Sequence, residues 1–424
     1  MFNSPSLEMP QSLTSWQQGA RTMVLKSLRL IKIGSLTLEE NFAGQSSMSN
    51  QNVSNQGTIE QFGFAHDDQP QAHIRVNHPD FYASVLKGGS IAAAEAYMDG
   101  WWDSPNLTAV TELMARNLNA LDQLEAQSSM LVRAMNKVGH WLKRNSIGRA
   151  KQNIEAHYDL GNDLYQTFLD QRMLYSSALY LSTNDSLEQA QMQKMERLCQ
   201  QLQLTANDHV IEIGTGWGAM AIYMAQHYGC RVTTTTISEQ QYAYAQAEIQ
   251  RLGLREQITL LKQDYRLLDG QFDKLVSIEM IEAVGKSYLP SYIAKCQSLL
   301  KPGGRMAIQA ITIADQRFDD YSNNVDFIQK YIFPGGFLPS ITVLTQMTTQ
   351  HTDFIVRDVF DLGLDYAQTL ADWRHRFEAS LNKVKLLGYD ERFVRMWRYY
   401  LCYCEGGFKA RTISTIHMTL QRAQ

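Results

Sequence analysis

The sequence predicts an α/β protein: a doubly wound, mostly parallel sheet with a smaller domain ahead of it. Three observations carry that prediction. His209 to Ala221, HVIEIGTGWGAMA, is an apolar run that breaks into Gly-x-Gly-x-Gly and resumes as helix. Beyond Ala150, strand-like and helix-like segments alternate regularly. The chain has 424 residues, more than one ordinary domain accommodates.

Taken in order, residues 1 to about 20 are polar and read as loose, and Gly44 to Gln71, rich in Gln, Ser, Asn and Asp, reads as loop. The first ordered domain declares itself at HIRVNHPDFYASVLKGGSIAAAEAYMDGWWD. His73 to Val76 alternates as a strand and Phe81 to Leu86 reads as a short helix. Gly88-Gly89 forms a turn into Ser90, the N-cap of a helix ending at Met98. Trp101 and Trp102 follow as an aromatic anchor, read as core packing ahead of lipid contact. From Gln127 to Arg144 apolar residues recur at helical spacing, with Arg133, Lys137, His140 and Arg144 on the other side. Such a basic amphipathic helix suits an anionic bilayer surface or, equally, a solvated face on its own protein.

In the second half, Val210 to Gly214 is a strand whose β-branched residues suit a buried position. Trp217 to His227 is a helix, Arg231 to Ile237 a strand, and Ser238 caps a helix to about Leu252. Ile258 to Lys262, Lys274 to Ile278 and Met306 to Ile311 are further strands. The last is preceded by a helix ending near Leu300 and a Lys301-Pro302-Gly303-Gly304 stop. Phe354 to Leu362 and Ile413 to Leu420, flanking two helices, would finish the sheet at one edge. A glycine-rich turn at the carboxyl end of a first strand is a nucleotide-type cofactor site. Its second strand ends in Thr236-Ile237-Ser238 without the ribose-binding carboxylate that a nicotinamide enzyme carries.

Composition narrows the function classes. Hydrophobic residues at 44% and charged residues at 19% indicate a folded globular chain with material for a core. A net charge of −4 excludes a chain-wide nucleic-acid footprint, which needs a basic excess. The five cysteines, an odd number without metal-ligand spacing, indicate reduced thiols in a cytoplasmic protein. No window approaches a membrane-spanning length, so contact with a membrane would be peripheral.

From about Tyr97 onward the chain resembles the cyclopropane-fatty-acyl-phospholipid synthase family of S-adenosylmethionine-dependent methyltransferases. The motifs that carry the resemblance, in order, are YMDGWWD, HYDLGNDLY, LYSSALY, IEIGTGWGAMA, TTTTISEQQ, QDYR, SIEMIEAVG, KYIFPGGFLPS and YYLCYCEGGFKAR. The resemblance implies a seven-stranded methyltransferase sheet over 146–424, an N-terminal domain with basic linker over 1–145, and an acyl-chain cap around 313–345. It implies S-adenosylmethionine held by Tyr175 and Ser176, by Gly214, Thr215, Gly216, Trp217 and Gly218, by Thr236, Ile237 and Gln241, and by Tyr265 with Arg266. Within the cap, Phe327 to Phe337, with Tyr331 and Phe333, is the expected lid of an apolar channel.

In relatives the base is a bicarbonate held by cysteine, glutamate, histidine and tyrosine. Here Glu282 matches the glutamate, while Ser177, Gln309 and Arg374 stand in the other three positions. All three are hydrogen-bond donors able to cradle an anion. Cys404 aligns with a late cysteine often given a catalytic role, or is a buried inert thiol. Glu282 is expected to accept or relay the proton lost after methyl transfer, or to pair with Arg374. The implied reaction adds the methyl carbon of S-adenosylmethionine to a cis double bond of an unsaturated phospholipid acyl chain. It yields a cyclopropane or, without ring closure, a methylene- or methyl-branched chain, according to where the proton is lost. The rivals are a small-molecule methyltransferase and a non-catalytic lipid-binding protein. Expected partners are unsaturated phospholipid acyl chains, an anionic membrane surface and a second copy of the chain in a homodimer, with no nucleic acid.

Overall fold

A computed structural model describes residues 13–42, 58–118 and 160–424. The basic stretch with Arg133, Lys137 and Arg144, the first residues of HYDLGNDLY and the expected boundary at 145/146 lie outside them. Residue contacts divide the chain into two compact units, Met1–Asn136 with Tyr389–Ala410, and Lys137–Gly388 with Arg411–Gln424.

The first unit carries a small sheet of β1 (Ser35–Glu40), β2 (Thr58–Gly63), β3 (Gln71–Val76) and β4 (Trp102–Asp103), in the order β2-β1-β3-β4. Strand β1 runs antiparallel to β2 and parallel to β3. Leu36 and Leu38 alternate into the core, as period-two side chains must. Two stretches read as irregular carry regular elements in their described parts, residues 13–20 and 58–71. The N-terminal one becomes the helix Ser15–Leu28, started by a capping box in which Thr14 and Gln17 satisfy each other's backbone amides. The other becomes β2, an edge strand whose pairing with β1 outweighs its polar composition. The two helices expected on either side of Gly88-Gly89 form one span, Phe81–Met98, kinked where Gly89 adopts φ 63° and ψ −145°. Trp102 is buried, its indole donating to the Ala93 carbonyl at 2.8 Å, which is the core role expected of it.

The helix Glu391–Lys409 packs in this unit against the helix Leu107–Arg116. A Cβ on Gly406 would lie 2.3 Å from Thr111 Oγ1 and 2.6 Å from the Glu112 amide, so only glycine permits the approach. The contact is tied by Thr111 Oγ1 donating to the Cys402 carbonyl at 2.7 Å and Thr108 Oγ1 donating to Glu405 at 2.9 Å.

The second unit is built on seven strands: β5 (His209–Ile213), β6 (Arg231–Thr236), β7 (Ile258–Lys262), β8 (Phe272–Ile278), β9 (Leu300–Ile313), β10 (Ile355–Asp361) and β11 (Ile413–Gln421). Their order is β10-β11-β9-β8-β5-β6-β7. Neighbours from β9 to β7 are parallel, while β11 is antiparallel to both β9 and β10. The expected stop at Lys301-Pro302-Gly303-Gly304 is instead absorbed into β9. Leu300 pairs with Phe272 and Arg305 already with Lys274, leaving the Pro-Gly-Gly residues as a bulge. Strands β5, β8 and β9 are buried on both faces, Val210, Ile211, Leu275, Val276, Met306 and Ala307 being almost wholly inaccessible. The carboxyl ends of β5, β6, β7 and β8 therefore share one edge of the sheet, where the turns that follow them meet.

Candidate active site

The turn after β5 is shaped by three glycines with positive φ: Gly214 at 96°, Gly216 at 53° and Gly218 at 95°. The Gly214 and Thr215 amides donate to the Thr235 carbonyl of β6, pinning the turn to the neighbouring strand. A Cβ on Gly216 would meet no protein atom within 4 Å, so this backbone borders open space. Beneath it, Glu212 is buried and accepts from Thr234 Oγ1 at 2.5 Å; burial raises its carboxyl to about 7. The Trp217 indole donates to Asn162 at 2.8 Å and its ring lies 5.1 Å from Tyr165.

The other expected cofactor residues gather at the same edge. At the tip of β6, Thr236 Oγ1 donates to Gln241 at 2.9 Å, and the Gln241 amide donates to Ser238 Oγ at 3.3 Å, with Ile237 half-buried between. After β7, Arg266 pairs with Asp264 through Nε and Nη2 at 2.8 and 2.6 Å, and Tyr265 packs edge-on against Tyr292. Ser176 is buried and accepts from Lys194 Nζ at 2.7 Å. Tyr175 joins an aromatic wall: its ring lies 5.2 Å from Tyr165, 5.3 Å from Trp373 and 6.3 Å from Phe333. Phe333 belongs to the expected lid. That segment is fixed to the turn after β8 by the Phe337 amide donating to the Glu282 carbonyl at 2.9 Å, and braced by Gln329 Nε2 donating to the Gly336 carbonyl at 3.1 Å.

A polar cluster is centred on the half-buried Glu279, at the carboxyl end of β8 with φ 47°. Its Oε1 accepts from the Ser177 amide at 2.9 Å and from Gln309 Nε2 at 2.7 Å. Its Oε2 accepts from the Tyr366 hydroxyl at 2.9 Å. Burial raises the Glu279 carboxyl, while the Ser177 amide and the Lys194 ammonium oppose that shift. Lys194 itself is wholly buried, which lowers it to about 8. Gln309 accepts through Oε1 from His417 Nε2 at 2.9 Å, and burial drives His417 down to about 3, so the ring is neutral.

The four residues expected to form an anion cradle are thus only partly assembled. Ser177 and Gln309 do meet, Gln309 Nε2 also donating to the Ser177 carbonyl at 3.1 Å, but both face Glu279. Glu282 accepts from the Ile311 amide at 2.5 Å through Oε1, and its buried Oε2 has no hydrogen-bond partner. Burial, then the neighbouring Glu279 charge, raises Glu282 to about 8. Arg374 sits half-buried on the helix Gly363–Ala379. Cys404 lies half-buried on Glu391–Lys409, in the first unit.

Sequence reasoning passed over Glu279, Lys194, Tyr366 and His417. Two had a local signal: Glu279 repeats Glu282 three residues earlier in SIEMIEAVG, and Lys194 is a lone cation on the apolar stripe Leu187, Ala190, Met195 and Leu198. Tyr366 and His417 carried none.

With the geometry in view, comparisons with known proteins converge. The model of the mycolic acid cyclopropane synthetase family matches residues 145–418. The chain is 39% identical to a cyclopropane-fatty-acyl-phospholipid synthase of Escherichia coli over 85% of this chain and 90% of that protein. It is 38% identical to a tuberculostearic acid methyltransferase of Mycobacterium tuberculosis, over 82% of each. Among solved structures, a mycolic acid cyclopropane synthase complexed with S-adenosylhomocysteine superposes with a TM-score of 0.60 at 27% identity, over 64% of this chain and 98% of that one. The chain belongs to the cyclopropane-fatty-acyl-phospholipid synthase family and is an S-adenosylmethionine-dependent lipid methyltransferase.

Proposed function

We propose that this enzyme transfers the methyl group of S-adenosylmethionine to the cis double bond of an unsaturated acyl chain in a phospholipid, and that the product is a cyclopropane fatty acyl chain. The observation that carries this reading is the aromatic wall of Tyr165, Tyr175, Phe333 and Trp373, in the same unit as an open glycine turn and the half-buried carboxylates Glu279 and Glu282. The open space at Gly216 suits the cofactor; Tyr175, Ser176, Thr215, Trp217, Gly218, Thr236, Ile237, Gln241, Tyr265 and Arg266 are the residues proposed to surround it, with backbone groups of the turn as its polar partners. S-adenosylmethionine supplies an electrophilic sulfonium methyl.

In the transfer, the carbon–sulfur bond breaks with its electron pair staying on sulfur, and the double bond's π pair forms the new carbon–carbon bond. The remaining alkene carbon becomes a cation. Aromatic faces stabilise that cation and keep water from trapping it. The segment 313–345 acts as the cap that closes the channel over the acyl chain. A proton then leaves the added methyl group, and its bonding pair closes the three-membered ring.

A branched chain without ring closure is the second reading. Two observations favour it: Ser177 and Gln309 stand where relatives carry cysteine and histidine, and a tuberculostearic acid methyltransferase is among the relatives at a similar identity. The enzyme works on cytoplasmic membrane surfaces from the side, with the basic stretch 127–144 meeting anionic lipid. Incubation with S-adenosylmethionine and vesicles of dioleoyl phosphatidylglycerol, followed by mass spectrometry of the released acyl chains, tests all of this. A mass gain of one methylene is expected, and oxidative cleavage separates a ring from a branch. Vesicles left unmodified, with a water-soluble amine methylated instead, would remove the lipid assignment.

A further inference from the structure

We infer that Glu279 is a built-in substitute for an external anion: its carboxylate fills the donor set formed by Ser177, Gln309 and Tyr366 and accepts the proton lost after methyl transfer. This rests on the methyl-transfer reading above. The donors expected to hold bicarbonate do not fit that ion. Ser177 contributes its amide and Gln309 its side-chain nitrogen, and both are bound to Glu279 Oε1, while the Ser177 hydroxyl donates to the Ala178 carbonyl. Tyr366 holds Oε2. A bicarbonate added there would overlap the carboxylate and bring a second negative charge against the first, in a pocket whose nearby ammonium, Lys194, already faces Glu279 and Asp170.

The geometry also suits a base. A carboxylate offers about four lone-pair sites, of which three are engaged, so one on Oε2 stays available for a proton. Three donors hold the side chain in one orientation, as general-base catalysis requires. The backbone at Glu279 is left-handed, a conformation that a non-glycine residue rarely adopts and that clusters at functional sites. Glu282, by contrast, keeps its proton beside the Glu279 charge, so the acceptor role expected for Glu282 passes to its neighbour. The step balances: the C–H pair of the added methyl group becomes the ring bond, or after a hydride shift the exocyclic double bond, and the proton resides on Glu279 before leaving to solvent.

The test begins with the parent enzyme in buffer stripped of carbon dioxide, scoring S-adenosylhomocysteine release on dioleoyl phosphatidylglycerol vesicles. No release with or without bicarbonate would bring down the methyl-transfer reading, and this inference with it. Release unaffected by stripping is expected; loss of activity that added bicarbonate restores overturns the role of Glu279 alone. Glu279→Gln, with S-adenosylmethionine affinity within twofold of the parent, should lose about 100-fold or more in turnover. Glu279→Gly, which suits the left-handed backbone and opens a carboxylate-sized space, should regain at least tenfold on addition of formate. A Glu279→Gln enzyme within threefold of the parent rate would refute the assignment.

Discussion

Replacing Gly216 by Val separates a ligand-contact glycine from one that serves the fold. At Gly216 the backbone has φ 53°, and a Cβ would project into space free of protein atoms to 4 Å. The penalty on the ligand-free protein is therefore conformational, about 1–2 kcal/mol for placing an L side chain in the left-handed region. Binding suffers differently. Three added carbons enter the volume where the cofactor would approach the turn, and overpacking of that kind costs about 1–3 kcal/mol. Displacing the ligand from a backbone hydrogen bond adds about 1 kcal/mol. Together these weaken affinity by roughly 30- to 700-fold, at 1.4 kcal/mol per tenfold change. Gly218→Ala is the contrast, since its Cβ would meet Ala245 Cβ at 3.2 Å and the damage falls on stability. Titration calorimetry with S-adenosylhomocysteine, beside thermal melting, resolves the two effects. A Gly216→Val protein that binds within threefold of the parent would refute the placement of the cofactor over this turn.

Further outcomes concern the buried carboxylates, the helix contact and the membrane surface. Glu282 has a native value raised to about 8, so its contribution to stability is fully present below the ordinary carboxylate range and is lost as pH rises through 8. Urea unfolding between pH 5 and pH 8 should show the parent losing on the order of a few kcal/mol, and Glu282→Gln distinctly less; parallel pH profiles would contradict this. Above pH 8 the lowered Lys194 acts with the opposite sign, stability rising as the unfolded state gives up its extra proton. Gly406→Val should lower stability by about 2–3 kcal/mol or more, because the new side chain meets the Glu112 backbone and Thr111; an unchanged melting temperature would mean that the two helices are not in contact there. Exchanging Arg133, Lys137 and Arg144 for Gln should weaken sedimentation with anionic vesicles and flatten its salt dependence, each charge being worth about 1 kcal/mol near such a surface. Equal binding of parent and variant to neutral and anionic vesicles would leave those charges as a solvated face.

What the sequence alone determined was set by neighbours along the chain. The β-branched run before Gly214 and the glycine-rich turn that follows it are both properties of a few consecutive residues. Hence the alternation of strand and helix and the glycine-rich turn were legible before any coordinate, and the spatial order of the strands was not. Where local pattern and pairing disagreed, pairing prevailed, as in β2, or a special backbone joined two segments, as at Gly89 and at the Pro-Gly-Gly bulge of β9. Of the cluster around Glu279, only Ser177 and Gln309 were picked out from the sequence. Ser177, Glu279, Gln309, Tyr366 and His417 come from five separate stretches, and which of them pairs with which depends on the order β11-β9-β8-β5, invisible to a linear reading. Matching residues position by position gave Glu282 the acceptor's role and Arg374 a seat in the cradle. Tertiary structure decided which carboxylate the donors reach: the Ser177 amide, Gln309 Nε2 and the Tyr366 hydroxyl converge on Glu279, because carboxylate oxygens drawn away from water need donors.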